Sequence, residues 1–211
     1  PALPDWEPGD LVEIRPGPGL PKREFSIASL PGDGRIELLV RLARDAHGNP
    51  GLASGLLTQR APIGAPIELR VRPHREFRPP SDARPMIFIC NGTGLAGIRP
   101  HLMRRALDGH RSNWLIFGER NADRDFYYRE QIHSWRDDGA LQRLDCAFSR
   151  DQAERVYVQD KLRDAADEVR QWVEDGASIY VCGSLEGMAP GVDAALSDIL
   201  GRERVDALRR G

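Results

Sequence analysis

A chain of 211 residues with 40% hydrophobic and 29% charged side chains has the make-up of a folded protein and excludes a disordered or collagen-like one. Lys plus Arg at 30 against Asp plus Glu at 32 leaves a formal charge of -2, so no molecule-wide field draws nucleic acid or anionic lipid, and any basic site must be local. Cys90, Cys146 and Cys182 are scattered with no C-x-x-C pair, which excludes a disulfide framework and a zinc knuckle and leaves no metal site to expect.

Through residue 80 the sequence is made of short β-type runs. Residues 11–15, 24–29, 35–43 and 66–72 are the expected strands, cut by Pro16-Gly17-Pro18-Gly19, Gly32-Asp33-Gly34 and Gly48-Asn49-Pro50-Gly51. Ile67, Leu69 and Val71 alternate with Glu68, Arg70 and Arg72, the period of a strand with one wet face. In 23–29 the same period puts Arg23, Phe25 and Ser29 on one face and Glu24 on the other. The reading over 1–80 is an antiparallel β-barrel or sandwich.

After the joint Arg78-Pro79-Pro80-Ser81 the grammar changes to apolar strands alternating with amphipathic helices. Residues 86–90, 114–117 and 179–182 read as buried parallel strands, with 141–147 a further strand between the last two. Leu162, Ala165, Ala166, Val169, Trp172 and Val173 form one apolar stripe and predict a single helix over 160–175. Residues 81–211 are therefore expected to form an α/β domain with a parallel sheet and right-handed crossovers, and the chain to be two-lobed.

The chemistry concentrates at a few places. Met86-Ile87-Phe88-Ile89-Cys90-Asn91-Gly92-Thr93-Gly94-Leu95-Ala96-Gly97 is a strand running through glycines into a helix that starts near Leu95, a candidate nucleotide loop. A dinucleotide fold would use an acid after the second strand for ribose hydroxyls; Glu119 stands there, followed directly by Arg120. Ser149-Arg150-Asp151 and Arg155-Val156-Tyr157-Val158-Gln159 gather groups that suit a phosphate monoester and an adenine ring, although isolated surface arginines are more often solvated. Gly51-Leu52-Ala53-Ser54 could offer amides and a hydroxyl to a second phosphate, although turn and strand roles are the commoner use of such residues.

In order, Pro8-Gly9-Asp10, Arg23-Glu24-Phe25-Ser26, Gly51-Leu52-Ala53-Ser54, Gly92-Thr93-Gly94-Leu95-Ala96, Phe117-Gly118-Glu119-Arg120, Ser149-Arg150-Asp151, Tyr157-Val158-Gln159 and Tyr180-Val181-Cys182-Gly183 make the chain resemble the ferredoxin-NADP reductase module of diflavin reductases, the group that includes cytochrome P450 reductase and the sulfite reductase flavoprotein. The resemblance implies a β-barrel lobe holding FAD and an α/β lobe holding NADPH. It implies that Arg23 pairs with the FAD pyrophosphate, Phe25 packs on the isoalloxazine, Ser26 hydrogen-bonds near the flavin N5, and Gly51, Leu52, Ala53 and Ser54 close on the FAD phosphates. Gly92, Thr93 and Gly94 would meet the NADPH pyrophosphate. Ser149, Arg150, Tyr157 and Gln159 would read the adenosine 2'-phosphate, with Arg120 and Arg155 beside them. Cys182 would lie at the nicotinamide and, with Ser26, serve the hydride transfer. The implied partners are a flavodoxin-like FMN domain, in cis or trans, and a downstream electron acceptor protein such as a haem protein or sulfite reductase. The implied setting is cytoplasmic, with membrane attachment only through segments outside this sequence.

The chain departs from the family pattern in five ways. Phe25 replaces a tyrosine; Gly97 replaces a proline, which is expected to loosen the helix start; and the stretch from Gly9 to Arg23 has no room for an inserted connecting domain. The first barrel strand and a terminal segment with an acid and a flavin-shielding aromatic are expected to fall outside this sequence. Three other readings stay open: a weakly active binding or regulatory module of the same fold, a free-standing ferredoxin or flavodoxin reductase, and an NAD(P) dehydrogenase relying on Glu119.

Overall fold

The structure, a computed structural model, describes residues 3–210; Pro1, Ala2 and Gly211, at the outer ends of the two expected lobes, lie outside the described residues. β1 (Leu11–Ile14) is the middle strand of a three-stranded antiparallel sheet, flanked by β2 (Arg23–Ser26) and β3 (Leu69–Arg72). Val12 and Ile14 turn inward and are fully buried, and Phe25 and Val71 stand opposite Val12 and pack on the same cluster. Trp6 closes that core, its indole N–H donating to Ser29 O at 2.9 Å.

The expected barrel does not close among the described residues. The stretch 35–43 is extended but forms no ladder; a single backbone bond, Ala28 N–H to Glu37 O at 2.8 Å, joins it to the chain before it. A side chain takes over what a ladder would have done: the Ser29 hydroxyl donates to Arg35 O and accepts from Glu37 N–H, each at 2.9 Å. Ser29 therefore sits buried in a corner, not on the Arg23–Phe25 strand face, and β2 ends at Ser26. Beyond this, α1 (Leu52–Gly55) runs into one π-helical turn, Leu56–Arg60.

Asp10 ties the β sheet to the proline joint. Its buried carboxylate accepts from His74 N–H at 2.9 Å and from the Arg78 guanidinium at 3.2 Å, and the Tyr180 hydroxyl donates to Arg78 O at 2.6 Å. A charge this deep is tolerated because every lone pair is engaged.

The α/β part is a parallel sheet in the order β6-β5-β4-β7, made of β4 (Met86–Asn91), β5 (Asn113–Glu119), β6 (Arg143–Phe148) and β7 (Ser178–Cys182). Met86, Phe88, Cys90, Leu115 and Phe117 face α2 (Leu95–Leu107) and α4 (Arg129–Asp137), with the short α3 (Ala122–Asp125) leading into the latter. Ile87, Ile89, Trp114 and Ile116 face α5 (Val158–Asp164), α6 (Ala166–Glu174), α7 (Met188–Leu200) and α8 (Arg202–Leu208). β4 and β5 are covered on both faces, which is why they read as unbroken apolar runs.

The helix expected over 160–175 is two. Ala165 leaves helical geometry at φ −108° and ψ 32°, separating α5 from α6. The apolar stripe survives, with Leu162, Ala165, Val169 and Val173 all buried, because periodicity reports the buried face and a one-residue break does not move it. No helix among the described residues is long and apolar enough to cross a membrane.

Candidate dinucleotide cleft

β4 leads by way of α2 to β5 on one side, while β7 pairs with β4 on the other, so the strand order reverses between β4 and β7. At such a switch point the carboxyl ends of the strands diverge and leave a crevice. Here it is a cleft of about 860 Å³, walled on the opposite side by Phe25 and Ser26 of β2 and by Leu39 and Arg41.

Its floor is the turn Gly92–Gly94, which feeds α2. A Cβ on Gly94 would overlap the carbonyl of Cys182, so only glycine lets the β4–α2 turn touch the end of β7. One helical turn further, a Cβ on Gly97 would lie 2.8 Å from Cys182 Sγ and 3.2 Å from Ser26 Oγ. The expected loosening at Gly97 is not what the structure shows, since α2 runs through this residue unbroken. The missing side chain instead gives Ser26 and Cys182 room to meet. Burial pushes the Cys182 thiol up, while hydrogen bonds from the Ser26 hydroxyl and the Gly97 amide pull it partly back. The net direction keeps the thiol protonated at neutral pH, so it packs and hydrogen-bonds but is no nucleophile.

At the other end of the cleft stand Arg120, Ser149, Arg150, Arg155, Tyr157 and Gln159. Among the described residues none of the three arginines is paired with a carboxylate; the same holds for exposed arginines elsewhere, such as Arg15, Arg70 and Arg204, and what sets these three apart is that they line one cleft. Asp151, next to Arg150, is turned away: it accepts from Asn121 Nδ2 at 2.9 Å and from Ala122 N–H at 2.8 Å, and these bonds hold its carboxyl below the usual range. It fixes the loop and leaves the guanidinium free. Tyr157 caps α5, its N–H bonded to Asp160 at 2.8 Å, and its ring is 41% exposed, an apolar face with one wet side.

Arg41 carried no signal in the sequence, and Asn91 stood there only as the residue before the glycine turn. Arg41 lies in the extended stretch of the β part and pairs with Glu119 across the cleft; its Nη2 also donates to Tyr127 Oη at 3.2 Å. The Glu119 carboxylate is 3% exposed and accepts the Arg120 N–H at 2.6 Å. Glu119 is thus engaged and is not the unpaired acid that the ribose of a dehydrogenase would need. Asn91 accepts the Ser184 N–H at 3.1 Å and pins the loop after β7 to the end of β4.

The structure does not bring Arg23 or residues 51–54 into this cleft. Arg23 is exposed and donates to Lys22 O at 3.0 Å. Gly51 precedes α1; Leu52 is 41% exposed, Ala53 is buried, and the Ser54 hydroxyl accepts Ala43 N–H at 3.1 Å.

A parallel sheet with a glycine turn at its switch point and a basic, hydroxyl-lined far end is the arrangement of a nucleotide-binding α/β fold. Residues 88–194 match the family described as the oxidoreductase NAD-binding domain, and the chain belongs to that family. Its relatives agree with the resemblance to the ferredoxin-NADP reductase module of diflavin reductases. The chain is 38% identical over 191 residues to the sulfite reductase [NADPH] flavoprotein alpha-component of Mannheimia succiniciproducens, covering 87% of this chain and 32% of that protein. To the protein of the same name from Neisseria meningitidis serogroup B it is 39% identical over 188 residues, 86% of this chain and 31% of the relative. A Yersinia enterocolitica relative is 38% identical over 188 residues, 86% of this chain and 31% of its own length. The chain spans about a third of the length of the curated relatives it matches.

Proposed function

We propose that the chain is the FAD- and NADPH-binding part of a flavoprotein reductase. The observation that carries this is the set of three unpaired guanidiniums, Arg120, Arg150 and Arg155, converging with Ser149 at the end of a cleft whose other end holds Phe25, Ser26 and Cys182. Leaving three cations uncompensated favours an anionic ligand, and a hydroxyl beside them suits a phosphate monoester such as the 2'-phosphate of NADPH. Tyr157 offers a face for adenine, and the Gly92–Gly94 turn with the start of α2 offers amides to the pyrophosphate. Arg41 is the β-part cation nearest that turn and would add a guanidinium there.

The residues fit the flavin at its reactive edge and less at its tail. Phe25 and Ser26 line the same cleft as Cys182, whereas Arg23 and residues 51–54 stand apart from it. We assign Phe25 to packing on the ring, Ser26 to a hydrogen bond near N5, and Arg23 with residues 51–54 to the FAD phosphates. Bound FAD supplies hydride acceptance and single-electron release. The chain orients the two rings, keeps water out between Ser26 and Cys182, and holds a proton donor, the Ser26 hydroxyl, at the flavin edge. The names of the relatives support NADPH as the donor. They also support sulfite reductase as the onward acceptor; a flavodoxin-like FMN domain, a haem protein as an alternative acceptor and a cytoplasmic setting are carried over from the resemblance to diflavin reductases.

The test is reconstitution of the full chain with FAD, followed by titration with NADP+ and NAD+ by calorimetry. A flavin absorbance band that stays with the protein, and NADP+ binding at least about tenfold tighter than NAD+, are expected, tenfold being about 1.4 kcal/mol. Failure to hold FAD under any loading condition, or equal affinity for the two nucleotides, contradicts the assignment.

A further inference from the structure

Glu119 sits at a point where a negative charge is costly for the proposed ligand. A Cβ on Gly92 would lie 3.2 Å from Glu119 Oε1 and 3.5 Å from Arg41 Nη2, so the ion pair stands directly against the first residue of the glycine turn. The turn and the start of α2 attract phosphate, and the carboxylate beside them repels it. Glu119 cannot swing away, since its other oxygen accepts the Arg120 N–H at 2.6 Å and its side chain is 3% exposed. Arg41 is 44% exposed and comes from the β part, on the opposite wall. It is the solvent-exposed member of the pair, the one with room to turn toward a ligand.

We propose that Glu119 limits how tightly the cleft holds a dinucleotide, by keeping Arg41 engaged and by setting a fixed carboxylate against the pyrophosphate. This rests on the dinucleotide reading of the cleft. A pyrophosphate on the Gly92–Gly94 turn must share the Arg41 guanidinium with Glu119, so each binding event weakens a cross-cleft ion pair and each release restores it. The device acts on the phosphates common to NADP+ and NAD+, and leaves the 2'-phosphate end around Arg150 untouched. Glu119 is a positioning residue that tunes affinity through Arg41.

The experiment is calorimetric titration of the full chain with NADP+ and with adenosine 2'-monophosphate, which reaches the basic end but has no pyrophosphate. Glu119→Gln keeps the shape and an acceptor for the Arg120 N–H while removing the charge. It is expected to tighten NADP+ by about tenfold, the scale of a charge-assisted hydrogen bond, and to leave the 2'-monophosphate within about twofold. Arg41→Gln removes the cation and leaves the carboxylate facing the ligand, so NADP+ binding weakens; adding Glu119→Gln to it recovers about tenfold by the same reasoning. Unchanged or weaker NADP+ binding in Glu119→Gln, together with equal binding in Arg41→Gln and the double variant, overturns the proposal while leaving the dinucleotide reading intact. A wild-type chain that binds neither ligand overturns both.

Discussion

Arg150 is where nucleotide choice is expected to reside. Its guanidinium is exposed beside Ser149, with the neighbouring Asp151 committed to Asn121 and Ala122. Arg150→Ala removes a contact that only a 2'-phosphate can use, so KM for NADPH is expected to rise about tenfold or more, as for a charged hydrogen bond, with KM for NADH nearly unchanged. Steady-state kinetics with both donors checks this; equal effects would move the 2'-phosphate elsewhere. Gly97 makes a second prediction. Gly97→Ala forces Cys182 Sγ and Ser26 Oγ apart, since the added methyl would lie within 2.8 Å of the sulfur. The overpacking is expected to cost about 1–3 kcal/mol of stability and to slow flavin reduction, measured by denaturant unfolding and rapid mixing. Glycines 92 and 94 were legible in the sequence as a strand-to-helix turn. The steric job of Gly97 was not, because its neighbours Ser26 and Cys182 are distant in the chain and meet only in the fold.

Helix α5 links stability to the site, since Tyr157 caps it and Gln159 lies in its first turn. Asp160 holds the cap through the Tyr157 N–H at 2.8 Å. Asp160→Ala is expected to cost about 1 kcal/mol, the usual worth of an N-terminal capping bond, and to weaken NADP+ binding as Tyr157 loses its anchor. Thermal melting with a parallel titration checks both. Elements differ in how much their sequence disclosed. β4 and β5 were readable because burial on both faces imposes long apolar runs, and β7, a half-buried edge strand, kept enough apolar residues to be read as well. β6 was placed nearly in register although it is only partly covered. The stretch 35–43 misled because its apolar residues do pack, Ile36 and Leu38 against the Trp6 cluster, while its backbone is bonded by the Ser29 hydroxyl and not by a partner strand. Hydropathy records the packing and is silent on the ladder.

The whole molecule is joined through buried polar and aromatic groups at the boundary between its two sheets. Arg99 of α2 donates to Ala28 O and pairs with Glu37 at 3.2 Å, and the Arg41–Glu119 pair spans the cleft. Behind it His101 is fully buried among Phe77, Phe88 and Tyr180, with ring centroids 5.4, 6.1 and 5.4 Å away. Burial first, and the Arg105 cation second, lower its pKa from 6.5 to about 3. The unfolded chain therefore takes up a proton at His101 that the folded chain refuses. Stability from this group is complete above pH 6.5 and is lost as pH falls toward 3. Between pH 6.5 and 5 the loss is about 2 kcal/mol at about 1.4 kcal/mol per pH unit, and His101→Phe is expected to flatten the unfolding free energy across that range. The change from an antiparallel sheet to a parallel one was legible from the change of grammar at the proline joint. The ties between the parts were not, because Arg41, Arg99 and His101 look like ordinary residues of an extended stretch and a helix until the sheets are brought together. The measurement that bears most directly on the whole account is anaerobic rapid mixing of the FAD-loaded chain with NADPH and with NADH, followed at the flavin absorbance. The geometry of the cleft predicts rapid bleaching by NADPH and, at equal concentration, bleaching by NADH at least about tenfold slower, a difference of about 1.4 kcal/mol. A bound flavin that neither donor reduces, or that both reduce at one rate, would contradict it.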